Sequence, residues 1–173
     1  AGDIKVGYTG SGSATQADGM VVDTVSAGQD VSLKTGLGKV LIEGGTASKS
    51  GDISIAAASG TYTAGESSII IGVNGDIDAE QGGVSLEATN GDIVVTEKVH
   101  AVTGLKAATK GQGGISFGTD VEVSGDIGLT TDTGDIEIGR QVRSTGGNIT
   151  ATVNKAGDIK VGYTGSGSAT QAD

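Results

Sequence analysis

Apolar and polar residues alternate in short bursts along this chain. Ile93-Val94-Val95, Ile115-Ser116-Phe117, Ile136-Glu137-Ile138 and Ile159-Lys160-Val161 all carry apolar side chains at their first and third positions, while the middle position is Val, Ser, Glu or Lys. A period of two is the mark of a strand with one buried face. The bursts fall into rows. One runs Ile93, Ile115, Ile136, Ile159; a second Leu105, Ile127, Ile149; a third Val99, Val121, Val142. Successive members of a row stand about 22 residues apart, so three apolar anchors recur once per coil. No helical period is sustained, and the glycine density would weaken a helix by ~1 kcal/mol per glycine relative to alanine. The pattern predicts an all-β chain folded as a right-handed parallel β-solenoid, with about 22 residues per three-sided coil.

A longer repeat overlies this rhythm. Residues 156–173 reproduce residues 1–18 letter for letter, AGDIKVGYTGSGSATQAD. The period is therefore 155 residues. The expected organisation is one full repeat over 1–155 and the start of an identical one over 156–173, in one continuous solenoid without a separate globular domain. About seven coils should fit into each repeat. Ile4-Lys5-Val6 and Ile159-Lys160-Val161 should then hold equivalent strand positions. The step from Ile4 to Val25 is far longer than the six residues between Val121 and Ile127. The surplus within YTGSGSATQADGMVVD is expected to leave the coil as a surface loop, after which Val31-Ser32-Leu33 and Val40-Leu41-Ile42 resume the strands. Between residues 56 and 90 the phase is open, because Ile77 and Ile93 stand too close for one row and SSIIIGVNG suits either of two faces.

Composition follows from stacking. The chain has 33 glycines, no proline and no tryptophan. A strand paired on both edges needs every N–H as a ladder donor, which proline cannot supply. Corners need positive φ and close backbone approach, which Asn74-Gly75 and Asn90-Gly91 can provide. Aromatic residues make up 2% of the chain, so a thick spherical core cannot be filled, whereas a narrow stack of small aliphatic layers can. Carboxylates stacked ~4.8 Å apart would repel by roughly 0.9 kcal/mol in water. The aspartates of the recurring Gly-Asp-Ile triplet are therefore expected to be compensated by corner N–H groups, as in an Asx turn.

A net charge of −10, without a basic stripe, excludes a nucleic-acid partner of the phosphate-neutralising kind. No apolar run approaches the ~18 residues of a membrane span. Absent cysteines exclude a disulfide framework and thiolate metal sites.

The recurring GDI with alternating strands, as in GDIEIGRQVRSTGGNITATVNKAGDIKVG at 134–162, resembles the repeat region of filamentous-haemagglutinin-type adhesins, large bacterial surface proteins exported by two-partner secretion. The resemblance implies a right-handed solenoid shaft, an extracellular or cell-surface location and export as an unfolded chain, which suits the lack of cysteine. The exact 155-residue superrepeat departs from that pattern and points to a polymer-like fibre.

Candidate chemistry is sparse. Acidic turns invite calcium, but the nonapeptide G-G-x-G-x-D is absent, so structural aspartates are the first reading and calcium the alternative. A β-helix can also be a polysaccharide-active enzyme, yet these aspartates belong to a repeating turn and only one histidine, His100, is present; it is read as a solvated corner residue. No catalytic, cofactor or metal residue is assigned. Thr61-Tyr62-Thr63 and Asn148-Ile149-Thr150 match ice-binding and glycosylation patterns by coincidence. The candidate interaction residues are Tyr8, Thr9, Ser11, Gln16 and Asp18 of the long loop. The expected function is a repeat unit of a long extracellular fibre serving reach, cohesion or adhesion, with the chain itself as partner through end-to-end stacking of repeats and lateral fibre contacts. The alternatives are an adhesin shaft whose loops bind a host or matrix glycan and, more remotely, a polysaccharide-active enzyme.

Overall fold

A computed structural model describes residues 2, 4–8, 19–36, 38–57 and 69–162. Twenty short strands follow one another without a helix among these residues. They wind in circuits of three. The first holds β1 (Ile4–Tyr8), β2 (Gly19–Val22) and β3 (Val25–Ala27); the second β4 (Val31–Thr35), β5 (Lys39–Ile42) and β6 (Thr46–Ser48). The third holds β7 (Ile53–Ala57), β8 (Ile69–Val73) and β9 (Ile77–Ala79); the fourth β10 (Val84–Thr89), β11 (Asp92–Val95) and β12 (Val99–Ala101). The fifth holds β13 (Gly104–Gln112), β14 (Ile115–Phe117) and β15 (Val121–Val123); the sixth β16 (Asp126–Thr133), β17 (Ile136–Ile138) and β18 (Val142–Ser144). Finally β19 (Ile149–Ala156) and β20 (Ile159–Val161) open a seventh.

Each strand pairs in parallel with the strand three places before and after it. This produces a first sheet β1-β4-β7-β10-β13-β16-β19, a second β2-β5-β8-β11-β14-β17-β20 and a third β3-β6-β9-β12-β15-β18. The protein is a parallel β-solenoid. The rows read from the sequence are its registers: Ile93↔Ile115↔Ile136↔Ile159 in the second sheet, Leu105↔Ile127↔Ile149 in the first, Val99↔Val121↔Val142 in the third.

Three expectations are corrected. There are about six turns rather than seven, because two circuits are long: Ile4 pairs with Val31 and Ile53 with Val84, a wider step than the 22 residues typical of the others. Residues 9–18 and 58–68 supply the surplus in these circuits. Second, part of the stretch expected to bulge is a strand, since Gly19–Val22 aligns with Lys39–Ile42. Third, the two Ile-Lys-Val segments are not equivalent. Ile4 joins the first sheet opposite Val31, while Ile159 joins the second opposite Ile136. The cause lies downstream: β2 takes the second-sheet place in the first circuit, so β1 falls to the first sheet. The alternating triplet fits either sheet, and its neighbours decide which. The open phase is also resolved, because Ile71 pairs with Ile93 in the second sheet and Ile77 with Val99 in the third.

The core is a column of aliphatic layers. Ile53, Ile55, Ile71, Ile77, Ile93 and Ile136 have no measurable exposure, and Phe117 is the one aromatic side chain among the buried residues. Where the inner face meets a corner, hydroxyls replace methyls. Thr109 donates to the Gly113 carbonyl at 2.8 Å and Thr131 to the Gly134 carbonyl at 2.8 Å, so these buried polar groups are satisfied. Corners are glycine-bound for contact reasons. A Cβ on Gly125 would lie 1.9 Å from the Thr103 carbonyl oxygen of the coil below. At the Asn90-Gly91 corner both residues have positive φ, 68° and 131°.

Ile136 and Ile138 face inward with Glu137 between them facing out. Ile136→Asp is expected to destabilise its coil by several kcal/mol, since a buried unpaired carboxylate replaces a buried isoleucine, whereas Glu137→Ala should stay within ~0.5–1 kcal/mol. Urea unfolding of both variants checks this, and equal losses would mean that the register is wrong by one residue.

Candidate functional site

The chemistry-bearing side chains are arranged along the axis. Each circuit has a residue just before each strand, and these entry residues stack from coil to coil. Where the entry residue is aspartate, its Oδ1 accepts the N–H of the entry residue one coil on. Asp30 accepts from Asp52 at 2.9 Å, Asp76 from Lys98 at 3.1 Å, Asp92 from Gly114 at 2.7 Å, Asp126 from Asn148 at 2.7 Å and Asp135 from Asp158 at 2.8 Å. The same rung is closed in the other direction by the backbone. Ile127 donates to the Asn148 carbonyl at 2.8 Å and Ile136 to the Asp158 carbonyl at 2.8 Å. Carboxylate and main chain thus clamp one peptide group of the next coil from two sides. The expected compensation by corner N–H groups is present, but it runs between coils and is not a local Asx turn.

This arrangement also limits charge repulsion. The column entering the third sheet reads Asp76, Lys98, Asp120, Gln141, so no carboxylate there stacks directly on another.

The outward side chains pair along the same axis. Lys160 donates to Asp135 at 2.8 Å and to Glu137 at 3.1 Å; Lys155 pairs with Asp132 at 3.3 Å, Arg143 with Glu122 at 3.4 Å, and Lys110 with Glu87. His100 stands mid-strand in β12, not at a corner, with its Nδ1 2.7 Å from Asp78 Oδ1. The hydrogen bond from Lys160 holds the Asp135 carboxyl below its ordinary range, Lys110 does the same for Glu87, and Asn154 leads the groups that lower Asp132. Hydrogen bonds to Asp135 and then Glu137 raise the Lys160 ammonium above the usual lysine range. These pairs are exposed, so each stabilises by only about 0–1 kcal/mol.

Such geometry offers little to catalysis. A groove of about 610 Å³ passes Asp92, Asp135 and Glu137 on the second sheet, yet these carboxylates accept from Gly114, Asp158 and Lys160. Among the described residues no group of three or more His, Cys, Asp or Glu side chains is placed to hold a metal ion. Of the candidate loop residues, Tyr8 closes β1, while Thr9, Ser11, Gln16 and Asp18 lie outside the described residues, as do Thr61, Tyr62 and Thr63. Ile149 and Thr150 of the Asn-Ile-Thr triplet open strand β19. The cross-coil clamp was missed from sequence, although its signal was there: an aspartate directly before an apolar strand entry, recurring at coil spacing. Comparison with protein-family models, curated proteins and solved structures gives no match for this chain.

Two outcomes follow. Asp126→Ala should cost about 1–3 kcal/mol, because the Asn148 N–H loses its acceptor, whereas Asp120→Ala should change stability by less than ~0.5 kcal/mol. Urea titration of both variants measures the contrast. The pH profile has a worked sign. The depressed carboxyls of Glu87, Asp132 and Asp135 contribute stability that is complete above the unfolded carboxylate pKa of ~4 and is lost as pH falls through their lower folded values. The raised Lys160 contributes stability that is complete below the unfolded lysine pKa of ~10.4 and is lost as pH rises through its higher folded value. Thermal melts across pH should therefore show a plateau between these limits.

Proposed function

We propose that this chain is the repeat unit of a long extracellular bacterial surface fibre, whose role is mechanical reach, cohesion or attachment. The observation that carries the reading is the pairing of an exact 155-residue sequence period with sheets that do not close on themselves. β1 ends one sheet and β20 ends another, unpaired with each other. A solenoid extends by adding rungs, so repeated sequence becomes length with no new kind of interface. The outer surface supports the same role: its ion pairs run along the axis and add weak, distributed cohesion between coils. The likeness of the GDI-bearing strands to filamentous-haemagglutinin-type repeats supports a surface location and an adhesive context, and the absence of cysteine agrees with export as an unfolded chain.

Tandem proteins of two and four periods, imaged by negative-stain electron microscopy, test the reading. Each added period should lengthen a rod of constant width by about 30 Å, from ~4.8 Å per rung. Beads separated by linkers would contradict it. Antibodies against the folded repeat should decorate the surface of the cells that make it, and purely internal labelling would contradict the extracellular role.

A further inference from the structure

The two ends of the described solenoid differ in a complementary way. The last strand of each sheet is β19, β20 or β18, and their core positions are uncovered. Ile149 is 51% exposed and Ile159 40%, against 1% and 0% for Ile127 and Ile136 one coil below. The corner clamp also runs out here. Asp126 and Asp135 accept from Asn148 and Asp158, so the next acceptors in these columns, the side chains of Asn148 and Asp158, have no coil above them among the described residues. Charge differs as well. The layer from residue 139 to 161 carries Arg140, Arg143, Lys155 and Lys160 against Asp158 alone. The opposite layer, from residue 2 to 30, carries Asp3, Asp18, Asp23 and Asp30 against Lys5 alone. One end is basic and the other acidic, although the chain as a whole is strongly acidic.

We infer that the β18–β19–β20 end binds the β1–β2–β3 end of a second copy of this chain, head to tail, continuing all three parallel sheets across the junction. Backbone groups at both ends are sheet edges that pair by strand addition. Their polarity matches, because every strand in each sheet is parallel. The basic layer meets the acidic one, which fixes the orientation and disfavours like ends meeting. An interface between unlike ends does not close on itself, so association yields short rods rather than a defined dimer. The inference is separate from the fibre reading: it concerns free copies, and it holds or fails whether or not repeats are joined in one polypeptide.

Sedimentation velocity of the full chain over a range of concentrations tests it, with hydrogen exchange on the same samples. The expected result is concentration-dependent growth into elongated species, weakened as salt rises. Arg143→Glu with Lys155→Glu should weaken association by at least about tenfold while leaving the circular dichroism spectrum unchanged. Asp23→Lys with Ser26→Arg at the other end should do the same. Mixing the two variants joins the two reversed ends with each other and should restore association. A chain that stays monomeric at every concentration overturns the inference. If that monomer also protects the amides of β19 and β20 as strongly as those of β16 and β17, residues 163–173 of the same chain cover the end instead.

Discussion

Everything in this fold depends on each coil satisfying the backbone of the coil beside it. Parallel strands cannot pair with their sequence neighbours through a tight turn, so each N–H and C=O finds its partner roughly one circuit away. Ile127 bonds to Asn148, Val121 to Gln141 and Ile136 to Asp158, all at 2.8 Å. Once that spacing is set, the remaining features follow from it. The core can be thin because each layer is closed above and below by an almost identical layer. Proline is excluded because a missing donor would break a rung on both sides of a strand. Glycine gathers at corners because consecutive corners touch backbone to backbone, as Gly125 does against Thr103.

The recurring aspartate is the device that makes the corners cohesive as well as compact. A corner residue has one face turned to water and cannot be held by burial. Asp92 and Asp135 hold the next corner by accepting its N–H, and the outer ion pairs of Lys160 and Lys155 repeat the principle with side chains. Individually these bonds are weak. Their value is that they all point along one axis, so strength accumulates with length while cross-section stays constant. That is the mechanical behaviour a fibre needs, and it accounts for an acidic chain that tolerates its own charge.

Much of this was legible in the sequence. The three rows of Ile, Leu and Val at coil spacing identify sheet membership correctly for every strand from Leu105 onward. The inward-outward assignment of Ile136, Glu137 and Ile138 needed nothing beyond the period of two. What could not be read was the sheet taken by Ile4-Lys5-Val6. An apolar-polar-apolar triplet fits any of the three sheets, and its place depends on Gly19–Val22, a strand concealed in a stretch rich in glycine, serine and alanine. The coil count failed for the same reason, since the surplus residues 9–18 and 58–68 lengthen circuits without adding rungs. The clamp made by Asp126 on Asn148 was half legible. The need to compensate stacked carboxylates was clear, but the partner lies a whole circuit away, and local turn chemistry suggests a nearer one.

The central claim is that consecutive coils are joined in parallel register through strand rungs and aspartate-clamped corners. Nuclear Overhauser spectroscopy of the labelled chain tests it most directly. The account predicts contacts linking Ile93 to Ile115, Ile115 to Ile136 and Ile136 to Ile159, with the Asn148 and Asp158 amides protected from exchange although they lie at exposed corners. Contacts of the antiparallel kind between strands adjacent in sequence, such as β16 with β17, or fast exchange at Asn148 and Asp158, would contradict it.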